Sequence, residues 1–352
     1  MKKYCKTLIL MILLITSVIG TYYNDGIYKK EILKITKIET IREDTSENSL
    51  GLTEKYETKK ITGILQNGKQ KGKKKEIEYE ESFSSVVTEK YQVGDKVFLD
   101  HGEIDGLKRD YYIMILLSIF ILSIYMVGEK KGLLSIVSVI LNVIIFYLGL
   151  FLYFKGINLL FLCLIESFLF AGTSLIISNG LNKKTTSAIL SVSVSSIIIV
   201  LLLLLVSKTT NYKGIYFNEL EFLTVPPEDI LLPELLIGSV GAIMDVAITI
   251  SSSISELINK SKKISKKQLR NSAKEIGKDI MSTMTSVLFF TYLSAGLPFF
   301  VLAVRNGYSV VTYFTTNYSL EITRFLVGSI GIIITIPITT EIAIHRMKEG
   351  IK

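Results

Sequence analysis

Residues 238–256 read GSVGAIMDVAITISSSISE. An aspartate, Asp245, sits in a run that is otherwise apolar or small, and its setting decides between a soluble helix and a membrane span. In a helix, residues three or four apart share a face. Glu234, Gly238, Gly241, Asp245, Thr249, Ser252 and Glu256 follow one another at those spacings and form one polar, small-residue seam. Leu235, Leu236, Ile237, Val240, Ile243, Met244, Ala247, Ile248, Ile250 and Ile254 give the helix an apolar side.

The flanking sequence points to a membrane. A helix rises about 1.5 Å per residue and the hydrocarbon core is about 30 Å thick, so uncharged runs of about 18 residues or more are candidate spans. Residues 7–24, 111–127, 132–154, 185–207 and 280–304 carry no charge. Residues 156–182 hold only Glu166, and 230–255 only Glu234 and Asp245. The run 325–340 is bounded by Arg324 and Glu341, which can snorkel from its ends. The expected fold is an α-helical polytopic membrane protein with eight transmembrane helices and a small β-rich extracytoplasmic N-terminal domain. Its parts are a signal anchor or first helix over 1–24, the external domain over 25–110, a seven-helix domain over 111–346, and a tail over 347–352. The seven spans fall near 111–127, 132–154, 157–178, 186–206, 231–257, 280–303 and 324–344.

The loops orient these spans. The start, MKKYCK, is basic and precedes an apolar run, as in a signal anchor. GEKKG at 128–132 and NGLNKKTT at 179–186 fall on the same side as that start. So does 259–278, which has eight basic residues against one acid. Positive charge on one side places that side, with both termini, in the cytoplasm. The net charge of +8 is thereby spent on topology, and lysine-rich loops without interleaved aromatics exclude a nucleic-acid partner. Cys5 and Cys163 both have apolar settings and read as small fillers, so the external domain folds without a disulfide.

Strand signals in the external domain include ITGIL at 61–65 and KEIEYE at 75–80, a hairpin around Asn67-Gly68. EILKITKIETI at 31–41 is a third strand, and YQVGDKVFL at 91–99 puts Gly94-Asp95 between two short runs. Short strands with glycine turns suggest a small open barrel or a sheet of oligonucleotide-fold type.

A carboxylate at the bilayer centre costs about 2.5–3.5 kcal/mol, so Asp245 needs protein, water or a proton beside it. That makes it a candidate ion- or proton-binding group. The last span echoes the sixth at an offset of 90: Gly238 and Gly241 match Gly328 and Gly331, Asp245 matches Thr335, and Glu234 matches Arg324. Small residues at this spacing let helices approach closely, so the two spans are expected to pack with their polar seams facing. Asn142 and Glu166 lie within the third and fourth spans, and Asp279 and Thr283 share a face of the seventh. Glu321 and Arg324, three apart, are expected to pair at the outer mouth. Pro337 could break the last helix and free carbonyls at mid-depth. The transport or ion-binding candidates are therefore Asp245, Thr249, Ser252, Glu256, Gly238, Gly241, Glu166, Asn142, Asp279, Thr283, Arg324 and Thr335.

The segments GSVGAIMDVAITISSSISEL, IGKDIMSTMTSVLFFTYLSAGLP and EITRFLVGSIGIIITIPIT together resemble the YibE/F-like family of bacterial multipass membrane proteins. The likeness covers about 111–345. It implies motif positions that include Gly241, Met244, Asp245, Gly277, Asp279, Glu321, Arg324, Gly328, Gly331 and Pro337, and a bacterial plasma membrane. Ser282 and Ser286 depart from the Gly and Asn that family members often carry there. The expected function is a transporter or permease-like component acting on a small solute or cation, without cofactor or metal, as a homo-oligomer or with a membrane partner. The alternative is a non-catalytic sensor or assembly scaffold whose external domain binds a ligand. No enzyme is expected: the chain has no H-E-x-x-H, G-x-S-x-G or Walker A, and its two histidines, His101 and His345, fall on opposite sides.

Overall fold

The computed structural model describes the chain except for residues 1, 48–50, 52, 86–87, 214, 218–224 and 349–352, and omits the side chains of 2–5. The end of the expected tail, part of the loop 207–229 and the Cys5 side chain lie outside the described residues. The chain divides into two compact units, Met1–Leu133 and Leu134–Lys352.

The first unit holds helix α1 (Lys2–Tyr22), a 3-10 turn (Asn24–Ile27) and five strands: β1 (Glu31–Glu47), β2 (Thr53–Leu65), β3 (Lys74–Ser82), β4 (Lys96–Asp100) and β5 (Glu103–Leu107). The strands form one antiparallel sheet in the order β3-β2-β1-β4-β5. It curls until its edge strands β3 and β5 come alongside each other, in the manner of a small open barrel. Alternation along β2 and β4 turns Ile61, Leu65, Val97 and Leu99 inward onto Leu33, Ile35 and Ile77 from β1 and β3. The hairpin at Asn67-Gly68 forms as expected, with Gly68 at φ 76°. Asn67 does more than turn the chain. Its buried amide donates to the carbonyls of Asp25, Tyr28 and Lys30 and accepts from Ile32 N–H, clamping the 3-10 turn onto the start of β1. Gly94-Asp95 does not join two strands. The second hairpin turns instead at His101-Gly102, both at positive φ.

Two buried lysines complete this unit. Lys96 donates to the Tyr22 carbonyl at 2.5 Å and to Asp25 Oδ2 at 2.6 Å. Lys108, fully buried, donates to the Thr21 carbonyl and to Asp110, both at 3.0 Å. Thr21 and Tyr22 lie in the last turn of α1, whose carbonyls lack helical partners and carry the negative end of the helix dipole. The lysines answer that charge, and Asp25 and Asp110 balance the lysines.

Helix α2 (Asp110–Phe154) begins in the first unit and continues into the second. The loop expected at 128–132 is a single break, Glu129, at φ 48° and ψ −127°. A Cβ on Gly132 would lie 2.5 Å from the Ile124 carbonyl oxygen. Eight residues of straight helix would span about 12 Å, so the chain doubles back here, and only a glycine permits the approach.

The second unit adds α3 (Leu159–Asn179), α4 (Lys183–Thr210), α5 (Pro227–Lys260), α6 (Lys266–Arg305), the short α7 (Val310–Thr316) and α8 (Tyr318–Lys348). Most of the loop expected at 259–278 belongs to α6, which opens on a capping box between Ser265 and Gln268. Arg270 of α6 grips Glu341 of α8 through two parallel bonds of 2.6 and 2.7 Å. Pro337 lies inside α8, which continues through it. Helix α5 is central. Its Ile243 and Ala247 join Ile199, Leu320 and Val327 in one core, and its Ile250 and Ile254 join Leu288, Ile332 and Ile344 in another. Within the unit, Asn142 of α2 donates to Ser174 at 2.7 Å and accepts from Thr173, both on α3. On the same pair of helices, a Cβ on Gly149 would collide with Glu166 Oε1, so this glycine makes the room for a buried carboxyl.

Six helices among the described residues are long and apolar enough to cross a membrane, and Lys6–Tyr22 is a shorter apolar helix. Much of their aliphatic and aromatic surface faces outward, including Leu116, Phe120, Tyr147, Phe290 and Phe299. Such an exterior suits a membrane-embedded protein.

Two outcomes follow from this packing. Gly149→Ala is expected to destabilise the detergent-solubilised chain by about 1–3 kcal/mol through overpacking, and Gly149→Ala/Glu166→Ala to recover most of it, read from thermal melts. The second concerns alkaline pH. Tyr91 is buried in the sheet core beside Tyr79, ring centroids 5.0 Å apart. Burial, then its tyrosine neighbour, pushes its hydroxyl well above the usual 10. A raised folded pKa contributes stability that is intact below the unfolded value and is lost as pH rises above it. The sheet is therefore expected to unfold cooperatively above about pH 10, with Tyr91 ionising in the same transition in absorbance at 295 nm. Tyr91→Phe is expected to make that transition shallower.

Candidate functional site

Helix α5 starts after Pro226, with Pro227 at its first position, where a missing N–H costs nothing. It packs along α8, and the small residues of α8 set the closeness. A Cβ on Gly331 would come within 2.9 Å of Ile199 and 3.1 Å of Ile243, and one on Gly328 within 2.9 Å of Leu288. The α8 seam is thus filled by aliphatic side chains from α4, α5 and α6. Thr335 and Thr339 on that seam are fully buried, and Thr335 donates to its own helix at Gly331 O.

Near the N-terminal ends of α5 and α8 the two helices meet through charge. The Arg324 guanidinium donates to Glu321, one turn back on α8, and to Glu234 of α5. Arg324 and Glu321 are largely buried, with side chains 16% and 10% exposed, while Glu234 is 36% exposed. One cation between two carboxylates leaves a net charge of −1 when all three are ionised. Tyr292 of α6 reaches over the next turn of α5, its hydroxyl 3.4 Å from the Gly238 carbonyl. A Cβ on Gly238 would lie 2.8 Å from that hydroxyl, so the glycine admits the tyrosine. These groups border a cavity of about 650 Å³, walled by Phe146 and Leu150 of α2, Cys163 of α3, and Ile230 and Ile237 of α5. A volume of this size, mostly apolar with a few convergent polar groups, is what small-ligand sites have. The exposed Glu234 can accept from a cationic or hydrogen-bonding group while Arg324 holds it in place.

The candidate residues fall into separate places. Arg324 and Gly238 border the cavity, joined by Glu234, Glu321 and Tyr292. Glu166 lies one helical turn beyond the lining residue Cys163, against Gly149. Asn142 belongs to the α2–α3 contact. Gly241, Asp245, Thr249 and Glu256 lie on the exposed face of α5, with Ser252 at its half-buried edge. Thr249 donates to the Asp245 carbonyl at 2.7 Å, and nothing would crowd a Cβ on Gly241. Asp279 and Thr283 are exposed on α6.

The expected pairing of polar seams holds only at its first residues, where Glu234 meets Arg324; from Gly241 on it is corrected, because the α8 seam is inside, the α5 seam is outside, and Asp245 does not meet Thr335. The reason is packing. α5 is surrounded by α3, α4, α6 and α8, and its aliphatic side fills those gaps better than its small one. Glu234 and Tyr292 were absent from the sequence candidates. Glu234 had a signal, since it matches Arg324 at the offset of 90, and those matched residues are the ones that meet. Tyr292 had none.

Comparison with known proteins bears on nearly the whole chain. Residues 116–349 match the model for YibE/F-like protein, and residues 26–113 match the model for the YibE/F family N-terminal domain. No curated protein and no solved structure gave a match. The two family matches meet at the start of α2, where the sheet gives way to the apolar helices, and the chain belongs to the YibE/F-like family.

Proposed function

We propose that this chain is a multipass protein of the bacterial plasma membrane that works as a transporter or permease-like component. The cavity around Glu234, Arg324 and Glu321 takes up a small solute or cation. Eight crossings follow if α1, both halves of α2, α3, α4, α5, α6 and α8 each span the bilayer. The basic residues at 128–132, 179–186 and 259–278 then put both termini in the cytoplasm and the sheet outside. The single observation that carries the transport reading is a cavity of about 650 Å³ holding a largely buried charge cluster near the N-terminal ends of α5 and α8. Charged groups within membrane segments are costly and mark ion or substrate paths. Asp245 lies eleven residues beyond Glu234, about 16 Å deeper along α5, on the same face. Its outward position leaves the seam open to water along a path that a second copy or a membrane partner can border.

The sensor reading keeps one specific support. Lys96 and Lys108 tie the sheet to the last turn of α1 and the first of α2, so a ligand on the sheet has a stiff route to two helices.

The test of the transport reading uses the full chain with Cys5 and Cys163 replaced by alanine. Single cysteines at 234, 238, 241, 245, 249 and 252 are exposed to a membrane-impermeant maleimide from either side. Labelling is expected to continue past 238 to 241 and 245. Protection of every position beyond 234 would sink the transport reading. In cells, solutes whose levels change when the protein is absent are expected to be restored by the wild-type chain and not by Arg324→Gln that inserts normally.

A further inference from the structure

The helices that flank the sheet leave two stacked hollows between them, and neither belongs to the cavity just described. Nearer the sheet, a hollow of about 250 Å³ is lined by Met11, Leu14 and Val18 of α1 and by Ile115, Ile119 and Leu122 of α2. Its walls are almost wholly apolar. Farther along the same helix pair, a hollow of about 800 Å³ is bordered by Lys6 of α1 and by Lys130 and Lys131 at the break in α2. Ile9, Leu10 and Leu13 continue the apolar wall into it. Glu129 is the acid among its lining residues, so three ammonium groups stand against one carboxylate.

We infer that this cleft binds an anionic phospholipid, with its headgroup at Lys6, Lys130 and Lys131 and an acyl chain along the apolar hollow. The inference rests on the membrane reading above, which puts this end of α1 and α2 at the cytoplasmic face. The shape fits the occupant in three respects. From Lys6 to Ile19 is about 20 Å of helix, close to the depth of one leaflet. The charge lies at the end where that reading puts the headgroups, and the apolar stretch lies where it puts the acyl tails. Basic pockets between spans on the cytoplasmic side are suited to anionic headgroups, and each lysine near the surface adds to the attraction. A free phosphate would use the lysines but not the apolar half of the cleft. A partner helix would fill the apolar half without needing three lysines at one end. The break at Glu129 is what aims the lysines: the chain doubles back there and presents Lys130 and Lys131 beside Tyr125 at the mouth of the groove.

The test is native mass spectrometry of the full-length, delipidated protein, titrated with phosphatidylglycerol, phosphatidylcholine or inorganic phosphate. Phosphatidylglycerol is expected to bind about tenfold or more tightly than phosphatidylcholine, and phosphate alone to leave no adduct and displace no lipid. Lys6→Gln/Lys130→Gln/Lys131→Gln is expected to abolish that preference. Lys183→Gln/Lys184→Gln, in another basic loop of the expected cytoplasmic side, is expected to keep it. Because loss of inside lysines can disturb insertion, Leu14→Trp provides a second variant that leaves every charge in place, and it is expected to lower phosphatidylglycerol retention severalfold. Equal binding of the two lipids, unchanged preference in the triple variant, equal loss in the Lys183/Lys184 variant, full retention in Leu14→Trp, or displacement by phosphate overturns the inference. Recovery of the protein from the membrane fraction tests the membrane reading separately: protein found in membranes without lipid preference refutes only the inference.

Discussion

The guanidinium of Arg324, held between Glu321 on its own helix and Glu234 on α5, is the contact that sets how the two central helices stand against each other. Slide one helix by a turn and Glu234 parts from Arg324, which is left with Glu321 alone among apolar walls. The aliphatic contacts below it, such as Ile243 on Gly331, would tolerate a slide far better, because one isoleucine can replace another in a gap. The register of α5 on α8 therefore rests on charge at one end, and the hydrophobic packing follows. The same arrangement leaves Glu234 facing the cavity with its position already fixed, which is how a binding group is preorganised.

An offset of 90 residues links these helices in the sequence, and the link has a physical content. Both helices present a glycine pair one turn after the charged position, and the charges are opposite. Side-by-side helices with matched heights bring matched residues together, so Glu234 meets Arg324. The repeat does not dictate which face of each helix turns inward. In a membrane, lipid tails are as apolar as leucine, so polarity does not sort faces as it does in water. Closeness of packing sorts them instead. The α8 seam, with Gly328 and Gly331, accepts large neighbours and is buried. The α5 side that carries Leu235, Leu236, Val240 and Ile243 supplies those neighbours, and its seam is left outside.

The features legible in the sequence were those with a local cause. Uncharged length marked the helices. Asn67-Gly68 marked the first hairpin, and Glu321 three residues before Arg324 marked an ion pair. Ser265-Lys-Lys-Gln268 is a capping-box pattern, so the early start of α6 could have been read from it. The features that were not legible depend on distant segments. Lys96 and Lys108 look like surface residues of a polar domain. They are buried because the end of α1 delivers two partnerless carbonyls, and the 3-10 turn delivers Asp25, to the same spot. Tyr292 belongs to the cavity only because Gly238, more than fifty residues away in the chain, leaves room for it.

Burying two lysines costs far more than leaving them in water, unless each is paired and hydrogen-bonded, as both are here. What the arrangement yields is stiffness. The ends of α1 and α2 are held to the sheet by several short polar bonds around two buried lysines, partly shielded from water. A spacer domain would not need such a joint, since a flexible linker would carry it equally well. A domain whose orientation matters to the helices would need it. Stiffness at the joint is therefore compatible with both functional readings, and a sensor in particular gains a lever. The charge cavity separates them, because a lever alone gives no reason to keep an arginine and two glutamates beside a hollow among apolar helices.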